Sequence, residues 1–215
     1  NKFYLSITTN YNKEKTQNNS IIGIDLGITN LVATSDNEVI RNCTHAKYFD
    51  KQINSLKSRR DLNLKKGSRK SKFLSKTIKK LYELKSRKIR DFQHKVSKKL
   101  SSTYDTIILE DLNLKKMSEG KARGINRELR NSSIGQFVQF LSYKTQKLIF
   151  VNPYNTSKTC NTCGKIHQDL KLSDRTINCS CGLIYDRDIN AAKNILCLGQ
   201  AQINKLSDVE LIQKT

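Results

Sequence analysis

The sequence predicts an α/β fold: a five-stranded mixed sheet with helices, an inserted basic helical hairpin, and a four-cysteine metal module near the C-terminal end. Three observations predict it. Two short apolar runs, Ile21-Ile22-Gly23-Ile24-Asp25-Leu26-Gly27 and Thr106-Ile107-Ile108-Leu109-Glu110-Asp111, read as buried strands that carry acids. Between them the apolar period changes from two to about 3.6 residues. Four of the six cysteines fall between Cys160 and Cys181.

The elements follow in order. Residues 1–10 read as a strand and Tyr11 to Ser20 as a polar, turn-like stretch. The chain opens at Asn1 directly in strand-like sequence, from which an upstream portion is expected. Ser35-Asp36-Asn37 has turn chemistry between Leu31–Thr34 and Glu38–Asn42, which makes a three-stranded antiparallel meander with the Asp25 strand. From Ala46 to Leu100, Phe49, Ile53 and Leu56 form one helical stripe. Leu74, Ile78, Leu81, Leu84, Ile89, Phe92 and Val96 form a second, and Gly67-Ser68 separates the two. Asn113 to Asn131 is polar with two glycines and reads as a mobile segment. Ile134, Phe137, Val138, Phe140, Leu141 and Tyr143 restore a helical stripe, Leu148–Val151 reads as a strand, and a last helix starts near Asp186. The final fifteen residues are weakly amphipathic and carry no firm assignment.

At 215 residues the chain suits one medium domain plus a small insertion. No apolar run approaches the roughly 20 residues of a membrane span, and no charged leader precedes an apolar stretch. The expected location is therefore cytoplasmic, nucleoid-associated in a bacterium. Forty Lys and Arg against nineteen Asp and Glu give a formal charge of +21. Half of those basic residues, twenty, lie between His45 and Leu100 beside only four acids. Charge so concentrated calls for a polyanionic partner rather than mere solubility, and basic faces on both hairpin helices suit a groove that follows a phosphate backbone.

The cysteine spacing is Cys160-x2-Cys163, fifteen residues, then Cys179-x-Cys181. Two close thiol pairs separated by a loop of roughly 12–20 residues suit a tetrahedral Zn²⁺ ion. With four thiols, no position is left for water, so the role is structural, and His167 has no vacancy to fill. Gly164 and Gly182 follow the second cysteine of each pair, where the backbone must turn toward the sulfurs. Cys43 and Cys197 read as small buried hydrophobes.

Asp25 and Glu110 would be costly to bury unless paired or bound to a cation. Together with an acid at the start of the last helix they make an oxygen-rich site suited to Mg²⁺ or Mn²⁺. Of Asp186 and Asp188, one is expected to cap that helix instead.

Gly23-Ile24-Asp25-Leu26-Gly27-Ile28-Thr29-Asn30, Leu109-Glu110-Asp111-Leu112, Thr156-Ser157-Lys158-Thr159-Cys160-Asn161-Thr162-Cys163-Gly164 and Asp186-Arg187-Asp188-Ile189-Asn190-Ala191-Ala192 resemble the TnpB proteins. These are the OrfB-type proteins of insertion sequences, related to type V CRISPR effector nucleases. The resemblance spans nearly the whole chain, with the four blocks in family order. It implies an RNase H-like (RuvC) fold, with Asp25, Glu110 and Asp188 as the catalytic acids and Asp186 as the fallback for the third. It implies a zinc ribbon at 157–184, between RuvC-like segments at 1–156 (hairpin at 46–100) and 185–215. It further implies an RNA-guided DNA endonuclease that works with a guide RNA on a DNA substrate by a two-metal mechanism. Family members are usually near twice this length, and their N-terminal region, which binds guide RNA and recognises a short DNA motif, is expected to be missing from this sequence apart from a possible last strand. The Cys-x-Cys pair is one residue tighter than the common spacing. The competing reading is a non-catalytic DNA- or RNA-binding protein, either repressor-like or a degenerate transposon remnant.

Overall fold

The computed structural model describes residues 5–8, 19–63, 65–113, 119, 123–170 and 174–212. A five-stranded mixed sheet forms the centre, in the order β3-β2-β1-β4-β5. Its strands are β1 (Ile21–Leu26), β2 (Asn30–Thr34), β3 (Val39–Arg41), β4 (Thr106–Glu110) and β5 (Lys147–Val151). The first three form the expected antiparallel meander, while β4 runs parallel to β1 and β5 parallel to β4. Of the strand expected over residues 1–10, only residues 5–8 are described, and these do not join the sheet. Residues 5–8 are irregular, Leu5 and Ile7 are exposed, and the rest lies outside the described residues.

The hairpin between β3 and β4 consists of α1 (His45–Asn63) and α2 (Arg69–Thr103). Gly67 turns the chain with a positive φ of 84°, and the Ser68 hydroxyl caps α2 by accepting from the Ser71 amide. Ile53, Ile78, Ile89 and Val96 are buried as the stripes require. Leu84 is not: it is 44% exposed, and its neighbour Lys85 is buried instead. Lys85 faces inward because its ammonium meets Asp50 Oδ1 and Asn131 Oδ1, both at 2.6 Å, and Asn131 Nδ2 donates to Asp50 Oδ2 at 2.7 Å.

Asn131 belongs to α3 (Arg123–Ser132), a helix where the polar composition had pointed to a mobile segment. Tertiary contacts override that composition: Leu129 packs on the core and Asn131 joins the Lys85 cluster. The preceding residues 114–118 and 120–122 lie outside the described residues. Helix α4 (Ile134–Lys144) follows.

Two layers of helix enclose the sheet. On one face Val96 and Leu100 of α2 and Ile134, Phe137 and Leu141 of α4 bury Ile22, Ile24, Ile107 and Leu109. On the other lies α5 (Arg187–Ile212), whose Ile195 packs with Ile108 and Val151. Each such buried aliphatic side chain contributes roughly 1.5–3 kcal/mol. A two-stranded hairpin, β6 (Thr176–Asn178) with β7 (Ile184–Asp186), precedes α5. Cys43 is buried as expected, but Cys197 is exposed, on the side of α5 that faces Asn161 rather than the sheet. No described helix is long and apolar enough to cross a membrane.

Candidate active site

Strand alternation delivers two of the three acids to one place. In β1, Ile22 and Ile24 point toward α2 and α4, so Gly23 faces α5. There a Cβ would meet the Ala192 carbonyl oxygen at 2.3 Å and the Leu196 amide nitrogen at 2.6 Å, so only glycine admits this approach. Asp25, two residues on, shares the α5 face. In β4, Ile108 packs against Ile195, which puts Glu110 on the same face. The parallel register pairs Ile24 with Leu109, and one further step sets Asp25 beside Glu110. Helix α5 starts at Arg187, so Asp188 lies in its first turn.

The electrostatics record this convergence. Burial pushes the Asp25 carboxyl up to about 7, and the charges of Glu110 and Asp188 push in the same direction. The Arg187 charge and the Leu26 amide oppose them. Burial also raises Glu110, against the Thr156 hydroxyl, which donates to its Oε1.

Asp186 and Asp188 separate cleanly. Asp186 Oδ1 accepts from the amides of Asp188 at 2.9 Å and Ile189 at 3.1 Å, which is an N-cap geometry. Asp188 turns toward the other acids. It accepts from Asn30 Nδ2 at 3.1 Å and from Arg175 Nη1 at 3.1 and 3.0 Å, and Arg187 Nε lies 3.8 Å away. Sequence reasoning missed Asn30, Thr156 and Arg175 as partners of the acids. Asn30 and Thr156 lie inside motifs that were singled out, so they could have been considered. Nothing in the sequence signals that Arg175, beside β6, reaches back to α5.

The four cysteines gather as their spacing predicts. Their sulfurs all lie within 4.8 Å of one another, with Cys160–Cys181 at 4.0 Å and Cys163–Cys179 at 3.5 Å. Four thiolates about 2.3 Å from a tetrahedral ion would stand roughly 3.8 Å apart, so this donor set fits Zn²⁺. Gly164 and Gly182 have φ of 74° and 86°, and their amides donate to the Cys160 and Cys179 carbonyls at 2.9 Å. The Cys181 amide, foremost, lowers the Cys179 thiol to about 6, whereas at its neighbour Cys163 the lowering by the Lys165 amide is outweighed by the Cys179 hydrogen bond and burial, which raise that thiol to about 11. Among the described residues no other group of three or more His, Cys, Asp and Glu side chains is so tightly gathered. Asp25, Glu110 and Asp188 are not gathered as tightly as the cysteines. The hairpin leaves most of its cations exposed, among them Lys51, Lys65, Arg69, Lys76, Lys80 and Lys88.

Comparison with known proteins identifies the family. Residues 4–121 match the model of the OrfB_IS605 family, described as "Probable transposase", and residues 135–195 match that of the Cas12f1-like TNB domain. A Streptomyces pristinaespiralis protein named "Putative RNA-guided DNA endonuclease" is 33% identical over 84% of this chain and 45% of its own length. TnpB-like protein L79 of Acanthamoeba polyphaga mimivirus is 34% identical over 92% of this chain and 40% of its own length. TnpB-like protein MJ0751 of Methanocaldococcus jannaschii is 30% identical over 81% of this chain and 67% of its own. The chain thus spans less than half the length of the first two. A solved Cas12f1 chain, from a complex with single guide RNA and target DNA, shares the fold with a TM-score of 0.56. It is 22% identical and covers 82% of this chain and 49% of its own. The chain belongs to the OrfB_IS605 family of transposon-associated TnpB proteins.

Proposed function

We propose that this chain is the nuclease portion of an RNA-guided DNA endonuclease, with an RNase H-like (RuvC) core and a zinc ribbon at 157–184 set between core segments 1–156 and 185–215. The observation that carries the reading is the placement of Asp25 beside Glu110 on the α5 face of the sheet, with Asp188 in the first turn of α5 near enough for its charge, like that of Glu110, to raise Asp25. The sheet order β3-β2-β1-β4-β5, with β1 antiparallel to β2 and parallel to β4, supports the RNase H-like assignment. The name of the Streptomyces pristinaespiralis relative, "Putative RNA-guided DNA endonuclease", and the nucleic acids in the Cas12f1 complex support guide RNA and DNA as partners.

Two Mg²⁺ or Mn²⁺ ions bound here would supply an activated water and stabilise the leaving oxygen of a phosphodiester. Asp25, Glu110 and Asp188 would hold those ions, which would relieve the repulsion that Glu110 and Asp188 exert on the buried Asp25. Thr156 and Asn30 orient Glu110 and Asp188. The exposed lysines and arginines between Lys47 and Lys99 would hold backbone phosphates. Cys160, Cys163, Cys179 and Cys181 would hold a structural Zn²⁺ without an open ligand position.

The deciding experiment is Mg²⁺-dependent cleavage of single-stranded DNA by the intact protein and its Asp25→Ala variant. Cleavage should vanish in the variant. Undiminished cleavage rejects the assignment.

A further inference from the structure

Five hydrogen-bonded residues, Thr156, Thr159, Asn161, Asn190 and Asn194, run from the cysteine module to the acids. Asn190 and Asn194 sit four residues apart on α5 and so share one face of it. Asn190 Nδ2 donates to the Thr159 carbonyl at 2.7 Å, and its Oδ1 accepts from the Asn161 amide at 2.9 Å. Asn194 Nδ2 donates to the carbonyls of Thr156 and Thr159, both at 2.7 Å, and its Oδ1 accepts from Asn161 Nδ2 at 3.3 Å. The two side chains therefore clamp residues 156–161 along α5. One end of that segment is Cys160, adjoining Asn161. The other is Thr156, whose hydroxyl donates to Glu110. Asn190 is 3% exposed and Thr156 4%, so water cannot readily replace these bonds.

We infer that Asn190, Asn194 and Thr156 are positioning residues that tie the folded state of the four-cysteine module to the placement of Glu110. The inference rests on the nuclease reading and adds to it a structural route by which an ordered cysteine module prepares the carboxylate site. The clamp is short and fully hydrogen-bonded. A module that loosens at Cys160 releases the Asn161 bonds, then the Thr156 carbonyl, and with it the orientation of the hydroxyl toward Glu110. Glu110 itself stays on β4, so it keeps its place in the sheet and loses only its aim.

The test is Mn²⁺ titration of the intact protein by electron paramagnetic resonance, with zinc content and melting temperature measured on the same samples. Thr156→Val removes the hydroxyl at nearly constant shape and should weaken Mn²⁺ binding by roughly 10–100-fold, as loss of an orienting group around a metal ligand does. Thr156→Ser should restore it, with zinc content unchanged in both. Asn190→Ala should weaken Mn²⁺ binding in the same range, and if it fails to fold the Thr156 pair decides. Mn²⁺ binding that depends on Asp25 but is unchanged in Thr156→Val overturns the positioning role alone. Wild-type binding that is insensitive to Asp25→Ala overturns the nuclease reading and this inference with it.

Discussion

Arg175 Nη1 lies 3.1 Å from Oδ1 and 3.0 Å from Oδ2 of Asp188, so one guanidinium nitrogen spans the carboxylate. That contact occupies the oxygens a cation would use. The Arg175 side chain is 49% exposed, so the bond contributes only about 1 kcal/mol or less after solvent screening. Arg175→Ala should therefore tighten Mn²⁺ binding by up to about fivefold, read by the same titration. Weaker Mn²⁺ binding in that variant would mean that the guanidinium organises Asp188 rather than competing for it.

Asp25 makes the metal-free protein sensitive to pH in a direction opposite to ordinary acid denaturation. Its carboxyl is raised from 3.8 to about 7 by burial, then by Glu110 and Asp188, so folding takes up a proton between those values. The folded chain binds more protons than the unfolded one in that window, and stability falls as pH rises through it. The contribution is fully present below about pH 4 and lost above about pH 7, with an upper limit near 4 kcal/mol. Denaturant unfolding of wild type and Asp25→Asn in chelator should show similar stabilities near pH 4 and a wild type that falls progressively below the variant toward pH 7. Added Mg²⁺ should restore stability above pH 7. A difference that is constant across the range would show that Asp25 is not proton-coupled to folding.

Lys85 and Asp50 form an ion pair with side chains only 9% and 17% exposed. Removing one partner leaves an uncompensated charge, so Lys85→Ala should destabilise the protein by about 3–5 kcal/mol. Restoring charge balance and bulk with Lys85→Met and Asp50→Leu together should recover much of that loss. Urea unfolding of the three proteins checks this. Equal stability of wild type and Lys85→Ala would show that the cluster does not hold α3 against the hairpin.

Much of this molecule follows from local chemistry along the chain. The apolar runs around Asp25 and Glu110, the change of period at Ala46, the Gly67-Ser68 break and the cysteine spacing each act over a few residues, so the strands, hairpin and thiol cluster were legible without coordinates. Asp25 and Glu110 stand out as candidates because a carboxylate in an aliphatic strand demands compensation. Residues 123–132 misled for the converse reason: their polar composition describes solvent preference, while the helix depends on Leu129, Asn131 and partners distant in sequence.

The sequence by itself determined the elements and the residue types able to hold metal, since backbone propensity and ligand chemistry are local properties. Only the tertiary structure decided which acids meet. Packing α5 against Gly23 brings Asp188 toward the C-terminal ends of β1 and β4, leaves Asp186 as the helix cap, and brings Asn30, Thr156 and Arg175 to the carboxylates. Those contacts join segments separated by up to 158 positions, and spacing along a chain says nothing about distances that only packing creates.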